Sequence, residues 1–138
     1  MSWVVDASIA VKWVIPEVFS DKADRVRDHP DDILAPDLLL LEVANALWRK
    51  TEAREISARE ADAALEMVRQ SGVDLRSTPP LVPRAMELAR RLGHPVYDCI
   101  YLALAEREHA TFVTADQRLL RRLSARKLDT PAVDLRTL

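Results

Sequence analysis

Short apolar runs rich in β-branched and aromatic residues alternate along this chain with longer stretches of helical periodicity. The runs lie at Trp3 to Val5, Ile33 to Ala35, Val73 to Leu75, Phe112 to Thr114 and Val133 to Leu135. Strands that are separated by helices pair in parallel, because a parallel crossover needs a connection of a dozen or more residues. We therefore predict an α/β fold, with a mostly parallel sheet of about five strands covered by helices on both faces.

Capping residues mark where several helices begin and end. Ser57 and Glu60 have the spacing of a capping box, and Gly72 follows as a left-handed stop. The next helix begins at Pro79 and ends at Gly93, so both glycines of the chain are expected to terminate helices. Neither glycine therefore belongs to a phosphate-binding loop.

Two further helices carry acidic residues within apolar sequence. One opens at Pro36 and includes Glu42, and the other runs from near Pro95 to about His109 and includes Asp98. The second is apolar on most of its circumference, which is typical of a buried helix. We expect it to be the most buried helix of the fold.

Composition limits the class of protein. A chain of 138 residues with 49% hydrophobic and 30% charged residues suits one helix-rich globular domain, spanning 1–138. The net charge of −2 gives no general signal for binding a polyanion. Cys99 has no partner for an internal disulfide, and neither a signal peptide nor a membrane-spanning run is recognisable. We expect a cytoplasmic protein that does not enter a membrane.

Four acids, scattered in sequence, should meet at one edge of the predicted sheet. Asp6 and Asp116 follow apolar strands, Asp98 lies in the first turn of a helix, and Glu42 lies about one and a half turns into another. In a parallel sheet the strand ends and the helix starts share one edge. Two carboxylates roughly 4 Å apart repel by about 4 kcal/mol at a protein surface, so such a cluster favours a divalent cation.

Each acid also has a simpler interpretation. Asp6 and Asp116 can cap the helices that follow them, which is a common use of aspartate. Glu42 can lie on the solvent face of its helix, and a helix amino terminus partly stabilises the charge of Asp98. The joint occurrence of all four at one edge favours a site.

The ligand types indicate which ion the site takes. Hard carboxylate oxygens select Mg²⁺ or Mn²⁺ rather than Zn²⁺. His29, His94 and His109 are dispersed, and we expect them to be structural or exposed. A carboxylate-held Mg²⁺ keeps waters and suits phosphodiester hydrolysis. Ser8 and Thr114 stand two residues from Asp6 and Asp116, where their hydroxyls can hold a metal-bound water or a ligand carboxylate, or simply cap the backbone.

A basic run follows Asp116. It contains no acid and consists of Arg118, Arg121, Arg122, Arg126 and Lys127. A phosphate-holding surface beside the acids and an ordinary solvated helix face are equally consistent with it. For the first interpretation, the candidate phosphate contacts are Arg118, Arg121 and Arg122.

Four segments of the chain resemble PIN-domain ribonucleases of the VapC toxin type. They are Val4-Val5-Asp6-Ala7-Ser8-Ile9-Ala10-Val11-Lys12-Trp13, Leu41-Glu42-Val43-Ala44-Asn45-Ala46, Tyr97-Asp98-Cys99-Ile100-Tyr101-Leu102-Ala103-Leu104-Ala105 and Thr114-Ala115-Asp116. The likeness spans nearly the whole chain, and the four segments occur in the order and at the separations of the family.

The resemblance implies a three-layer α/β/α sandwich with strand order 3-2-1-4-5. It implies Mg²⁺- or Mn²⁺-dependent cleavage of RNA, with Asp6, Glu42, Asp98 and Asp116 as the acidic quartet. Ser8, Asn45 and Thr114 match polar positions that line the same pocket. Proteins of this type are usually homodimers held inactive by a small cognate antitoxin.

Other interpretations remain open. A non-catalytic PIN-like module could bind a protein partner through a surface that includes Trp13 and Trp48, although core packing is common for large aromatics. A metal-dependent phosphatase, or a nuclease acting on another substrate, would use the same acids. An aspartyl-nucleophile phosphatase would need an aspartate where the chain has Ser8, and a receiver domain would need an acceptor aspartate and a lysine that are not seen.

Overall fold

The computed structural model describes residues 2–138 and contains a five-stranded, wholly parallel sheet in the order β3-β2-β1-β4-β5. The strands are β1 Ser2–Val5, β2 Asp32–Pro36, β3 Asp74–Arg76, β4 Thr111–Thr114 and β5 Ala132–Asp134. The α-helices are α1 Ala7–Val14, α2 Ser20–Arg27, α3 Leu38–Glu52, α4 Ala58–Arg69, α5 Val82–Leu92, α6 Val96–Glu108 and α7 Gln117–Arg126, with 3₁₀ turns at Pro79–Leu81 and Leu135–Thr137. The predicted α/β class and strand order are confirmed.

The crossovers explain the three layers. Connections β1 to β2 and β2 to β3 step across the sheet in one direction, whereas β3 to β4 and β4 to β5 step in the other. Right-handed crossovers then place α1 to α4 on one face and α5 to α7 on the other, which agrees with the packing of each group. The direction reverses between β1 and β4, so the crevice at their carboxyl ends is the expected place for a ligand.

The core lies between the sheet and the helices on either face. Val4 and Val5 of β1 and Phe112 and Val113 of β4 are fully buried, as expected for central parallel strands. Helix α6 is buried at every residue from Cys99 to Ala105, which confirms that it is the most buried helix. It packs under β1, β2 and β4 and so carries Asp98 to the crevice.

Most of the predicted helix signals are present, with two corrections. The capping box of Ser57 and Glu60 forms, and Gly93 ends α5 in the left-handed conformation. Pro36 does not open a helix: it is the last residue of β2, and α3 begins at Leu38. Gly72 has a positive φ but lies beyond the C-cap Gln70, so it shapes the loop after α4 rather than ending the helix. That the whole of 1–138 is one domain stays a prediction.

Candidate active site

Asp6 is held at both carboxylate oxygens. Its Oδ1 accepts hydrogen bonds from Ser8 Oγ at 2.5 Å and from the backbone amide of Ile9 at 3.3 Å, and its Oδ2 accepts one from Thr114 Oγ1. The bond to Ile9 caps α1, so Asp6 is a helix cap and also a member of the acidic crevice. The hydroxyls of Ser8 and Thr114 take two of the roles considered: each donates to the Asp6 carboxylate, and each accepts a backbone amide, from Ala115 and Asp116 respectively.

Asp116 ties the β4 end of the crevice to the β1 end. Its Oδ1 accepts bonds from the amides of Arg118 at 3.0 Å and Leu119 at 3.2 Å, which caps α7. Its own amide donates to Thr114 Oγ1 at 3.0 Å, the hydroxyl that also binds Asp6. Thr114 Oγ1 therefore links Asp116 to Asp6, while the carboxylate of Asp116 caps α7.

Asp98 has a partner that was not identified as a site residue from sequence. Its Oδ2 lies 2.6 Å from Nε2 of His94, a histidine that is only 5% exposed. One ligand atom from each of His94, Asp98 and Asp116 lies within 4.8 Å of the other two. Sequence reasoning expected His94 to be structural or exposed; it is buried, and the left-handed turn at Gly93 after α5 brings its ring to Asp98 in the first turn of α6.

Glu42 is positioned from the opposite layer of the sandwich. The hydroxyl of Tyr101, a residue 1% exposed on α6, donates to Glu42 Oε1 at 2.7 Å. Burial and the neighbouring Glu42 charge raise the pKa of Tyr101, so the hydroxyl remains a donor. Tyr101 was not identified as a site residue from sequence, although its position three residues after Asp98 puts both on one helix face.

The acids perturb one another electrostatically. Burial, with a contribution from the charge of Asp98, raises the pKa of Asp6 to about 6 despite its hydrogen bonds. Burial, followed by the charges of Asp98 and Asp6, raises the pKa of Glu42 to about 7. The charge of Asp98 contributes to both shifts, and an oxygen of Asp98 lies within 4.8 Å of one of Asp116, so Asp98 lies near each of the other three acids. The chemistry of this oxygen-rich donor set fits a hard divalent cation, which neutralises the cluster.

The remaining predicted residues lie around the acids rather than among them. Asn45 follows Glu42 by about one turn on an exposed part of α3. Arg118 and Arg121 are exposed on α7, whereas Arg122 is half-buried and donates to the carbonyl of Leu92 at 3.4 Å. These positions leave Arg118 and Arg121 free to meet a ligand beside Asp116 and engage Arg122 in packing.

Two other surface features are separate from the acids. A cavity of about 390 Å³ lies at the amino-terminal edge of the sheet, between the end of α6 and the segment before β5, and Arg91, His109 and Asp129 are among its lining residues. Trp13 is buried and donates to the carbonyl of Ala23, whereas Trp48 is 57% exposed. Of the two aromatics considered for a partner surface, only Trp48 is accessible.

No helix within residues 2–138 combines the length and apolarity that crossing a bilayer requires.

Comparison with known sequences identifies relatives along nearly the whole chain. The family model described as the PIN domain matches residues 3–125. Ribonuclease VapC3 of Pyrobaculum aerophilum is 32% identical over 127 residues, which is 91% of this chain and 97% of the relative.

Solved structures give the same result at the level of the fold. A crystal structure of a protein from Pyrobaculum aerophilum superposes with a TM-score of 0.72 at 27% identity, covering 99% of this chain and 94% of that one. The VapBC-1 structure from nontypeable Haemophilus influenzae superposes with a TM-score of 0.64 at 14% identity, covering 99% of both chains. At 14% identity the second likeness concerns the fold alone.

Proposed function

The chain belongs to the PIN-domain family, in which it is homologous to the VapC ribonucleases, and on that premise we propose that it is a Mg²⁺- or Mn²⁺-dependent endoribonuclease. The observation that supports the proposal is the closeness of the acids: the charge of Asp98 adds to the effect of burial in raising the pKa of Asp6 and Glu42, and an oxygen of Asp98 lies within 4.8 Å of one of Asp116. Holding buried acids in the charged state next to one another lowers the stability of the fold. Binding of an ion that uses these acids as ligands is the simplest reason for the chain to have them.

In this proposal Asp6, Glu42, Asp98 and Asp116 hold the ion. Such an ion, when bound, lowers the pKa of a water and neutralises the phosphate oxygens in an in-line displacement. The chain's own work is to fix the ligands: Ser8 and Thr114 hold Asp6, Tyr101 holds Glu42, and backbone amides hold Asp116. Each acceptor oxygen is oriented before RNA arrives, which lowers the reorganisation needed in the transition state.

The surface around the ligands suits a polyanionic substrate. Arg118 and Arg121 lie in the first turns of α7, directly after Asp116, and are exposed. We propose that they contact RNA phosphates, and that Arg122 contributes mainly to packing against the α5 carboxyl end. Asn45 lies on the same helix as Glu42 and is proposed to line the substrate side of the pocket.

We further propose that the chain is the toxin of a toxin–antitoxin pair, acts in the cytoplasm and forms a homodimer. Homology to VapC ribonucleases and the shared fold with a VapBC structure support the antitoxin partner. The partner would silence the enzyme by covering the acidic crevice.

An assay of the purified chain, free of any partner, tests the proposal. Total cellular RNA is incubated with and without Mg²⁺ or Mn²⁺, and the cut ends are mapped. We expect internal cuts that require the ion and disappear with chelator. A folded chain that binds the ion and leaves RNA intact points to a phosphatase or a nuclease with another substrate, and one that binds no ion points to a non-catalytic PIN-like binding module. Either result refutes the ribonuclease proposal.

A further inference from the structure

One buried side chain beside the acids is not used by the chemistry above. The imidazole of His94 is 2% exposed, and its Nε2 lies 2.6 Å from Oδ2 of Asp98. At that distance two lone pairs would repel, so a proton lies between the two atoms; with Asp98 ionised, as an ion ligand must be, Nε2 carries that proton and donates it. The other ring nitrogen, Nδ1, is buried and has no partner within the described residues. The bond to Asp98 is therefore the one hydrogen bond that the ring makes within the described residues.

The backbone holds His94 independently of Asp98. Gly93 ends α5 with a φ of 62°, and the amide of His94 donates to the carbonyl of Ala89 at 3.2 Å. On the other side, Cys99 Sγ donates to the carbonyl of His94 at 3.9 Å, which fastens the residue to α6. These contacts fix the backbone of His94, so the position from which its ring reaches the Asp98 carboxylate does not depend on Asp98.

The side chain of Asp98, in contrast, has another binding partner available besides the crevice: the backbone amides at the start of its own helix. It lies in the first turn of α6, and the N-cap residue of that helix, Pro95, provides no side-chain cap. Amides at an uncapped helix amino terminus attract a carboxylate from the same turn. The bond from His94 occupies one oxygen of Asp98, while the side chain remains 33% exposed and a carboxylate oxygen lies within 4.8 Å of an oxygen of Asp116.

We propose that His94 is a positioning residue of the ion site, which orients Asp98 so that its carboxylate binds the ion together with Asp116. The inference rests on the proposed function, because it assumes that these acids hold a divalent ion. In many metal sites a histidine binds the metal and a carboxylate hydrogen-bonds to the other side of its ring. Here the roles are exchanged: the carboxylate is the ligand, and the histidine hydrogen-bonds to it. A group that hydrogen-bonds to a ligand sets the orientation of that ligand and the affinity for the metal.

Ion binding without RNA separates positioning from a merely structural link between α5 and α6. Mn²⁺ affinity is measured by titration calorimetry on four chains: wild type, His94→Leu, His94→Gln and, as a control, His29→Leu. His29 is exposed and remote from the acids. Glutamine can present an N–H near the position of Nε2, whereas leucine keeps bulk without a donor. Thermal unfolding in chelator shows that each chain is folded, and His94→Asn, whose amide is too short, replaces His94→Leu if the latter fails to fold.

We expect Mn²⁺ binding to weaken about tenfold or more in His94→Leu, as for other outer-shell losses, to be largely retained in His94→Gln, and to be unchanged in His29→Leu. Wild-type affinity in His94→Leu overturns the inference, and so does equal weakening in folded His94→Gln and His94→Leu. Failure of the wild-type chain to bind Mn²⁺ overturns the proposed function as well, so the two failures are distinguishable.

Discussion

Single side chains in this protein serve the fold and the site with the same atoms. Asp6 and Asp116 cap α1 and α7, yet they also form two corners of the acidic cluster. The cap bond from the Ile9 amide lowers the pKa of Asp6 against the larger effect of burial, so it favours the charged state that an ion requires. The capping and site interpretations of these residues are therefore compatible.

The substitution Asp98→Asn tests the ligand role directly. It removes a charge with little change of size, so RNA cleavage should fall to background while the unfolding temperature in chelator changes little or rises, since one source of repulsion is lost. Cleavage is followed on total RNA with Mn²⁺. Asp62→Asn, at an exposed position of α4, is the matched control, and Mn²⁺-dependent cleavage by Asp98→Asn would refute the assignment.

Tyr101→Phe tests whether the hydroxyl sets the state of Glu42. The hydrogen bond from Tyr101 lowers the Glu42 pKa against the effect of burial, so its loss should shift the acid limb of the cleavage pH profile to higher pH. We also expect a stability loss of about 1.5 kcal/mol, typical of a lost bond to a charged group. The profile and urea unfolding are compared with those of Tyr97→Phe, a change at a tyrosine that is 66% exposed. An unshifted profile argues against the coupling.

At the scale of elements, local signals such as caps determine where a helix begins, and the packing of the helix determines its role in the fold. Helix α4 begins with a complete capping box, in which the amide of Glu60 donates to Ser57 Oγ at 3.0 Å and the amide of Ser57 donates to Glu60 Oε1 at 3.1 Å. The helix packs on α3, which carries Glu42, and on α1. Its effect on the site is therefore indirect, through the position of α3.

Ser57→Ala should therefore cost stability and leave chemistry unchanged. We expect a loss of about 1 kcal/mol, the usual effect of removing an N-cap, measured by urea unfolding. Ser124→Ala, at an exposed position inside α7, controls for serine removal and should be close to neutral. Cleavage well below the unfolding temperature should be unchanged in both; a loss of activity in folded Ser57→Ala contradicts a purely structural role.

At the scale of the whole molecule, the acidic crevice makes stability depend on pH and on the ion. Relative to ordinary values of 3.8 and 4.5, the pKa of Asp6 is raised to about 6 and that of Glu42 to about 7. The folded chain thus binds these protons more tightly than the unfolded chain. The resulting stabilisation is complete below the ordinary values and is lost as pH rises through about 6 and about 7.

In chelator, the unfolding temperature should consequently fall between about pH 5 and about pH 8 because of these groups. Mn²⁺ should raise it more at the higher pH, because the ion competes with protons for the carboxylates. Glu42→Gln should flatten the pH dependence in chelator and reduce the gain from Mn²⁺. The measurement is thermal unfolding across pH with and without the ion; a Mn²⁺ effect that is independent of pH contradicts this description.

The sequence by itself determined what depends on neighbours along the chain. Apolar runs marked all five strands to within a residue or two, Ser57 and Glu60 marked the start of α4, and the left-handed turn at Gly93 marked the end of α5. Such signals are local, because propensity, capping and periodicity act within a few residues. They misplaced the start of α3: Pro36 is the last residue of β2, and the helix begins at Leu38.

Only the tertiary structure decided how the site is assembled. Strand order was implied by resemblance and not by pattern, since it depends on which strands pair across the sheet. The bonds from Tyr101 to Glu42 and from Thr114 to Asp6 join residues 59 and 108 positions apart, and the contact of His94 with Asp98 depends on a turn and two side-chain rotamers. Packing sets these distances, and no period in the sequence encodes them.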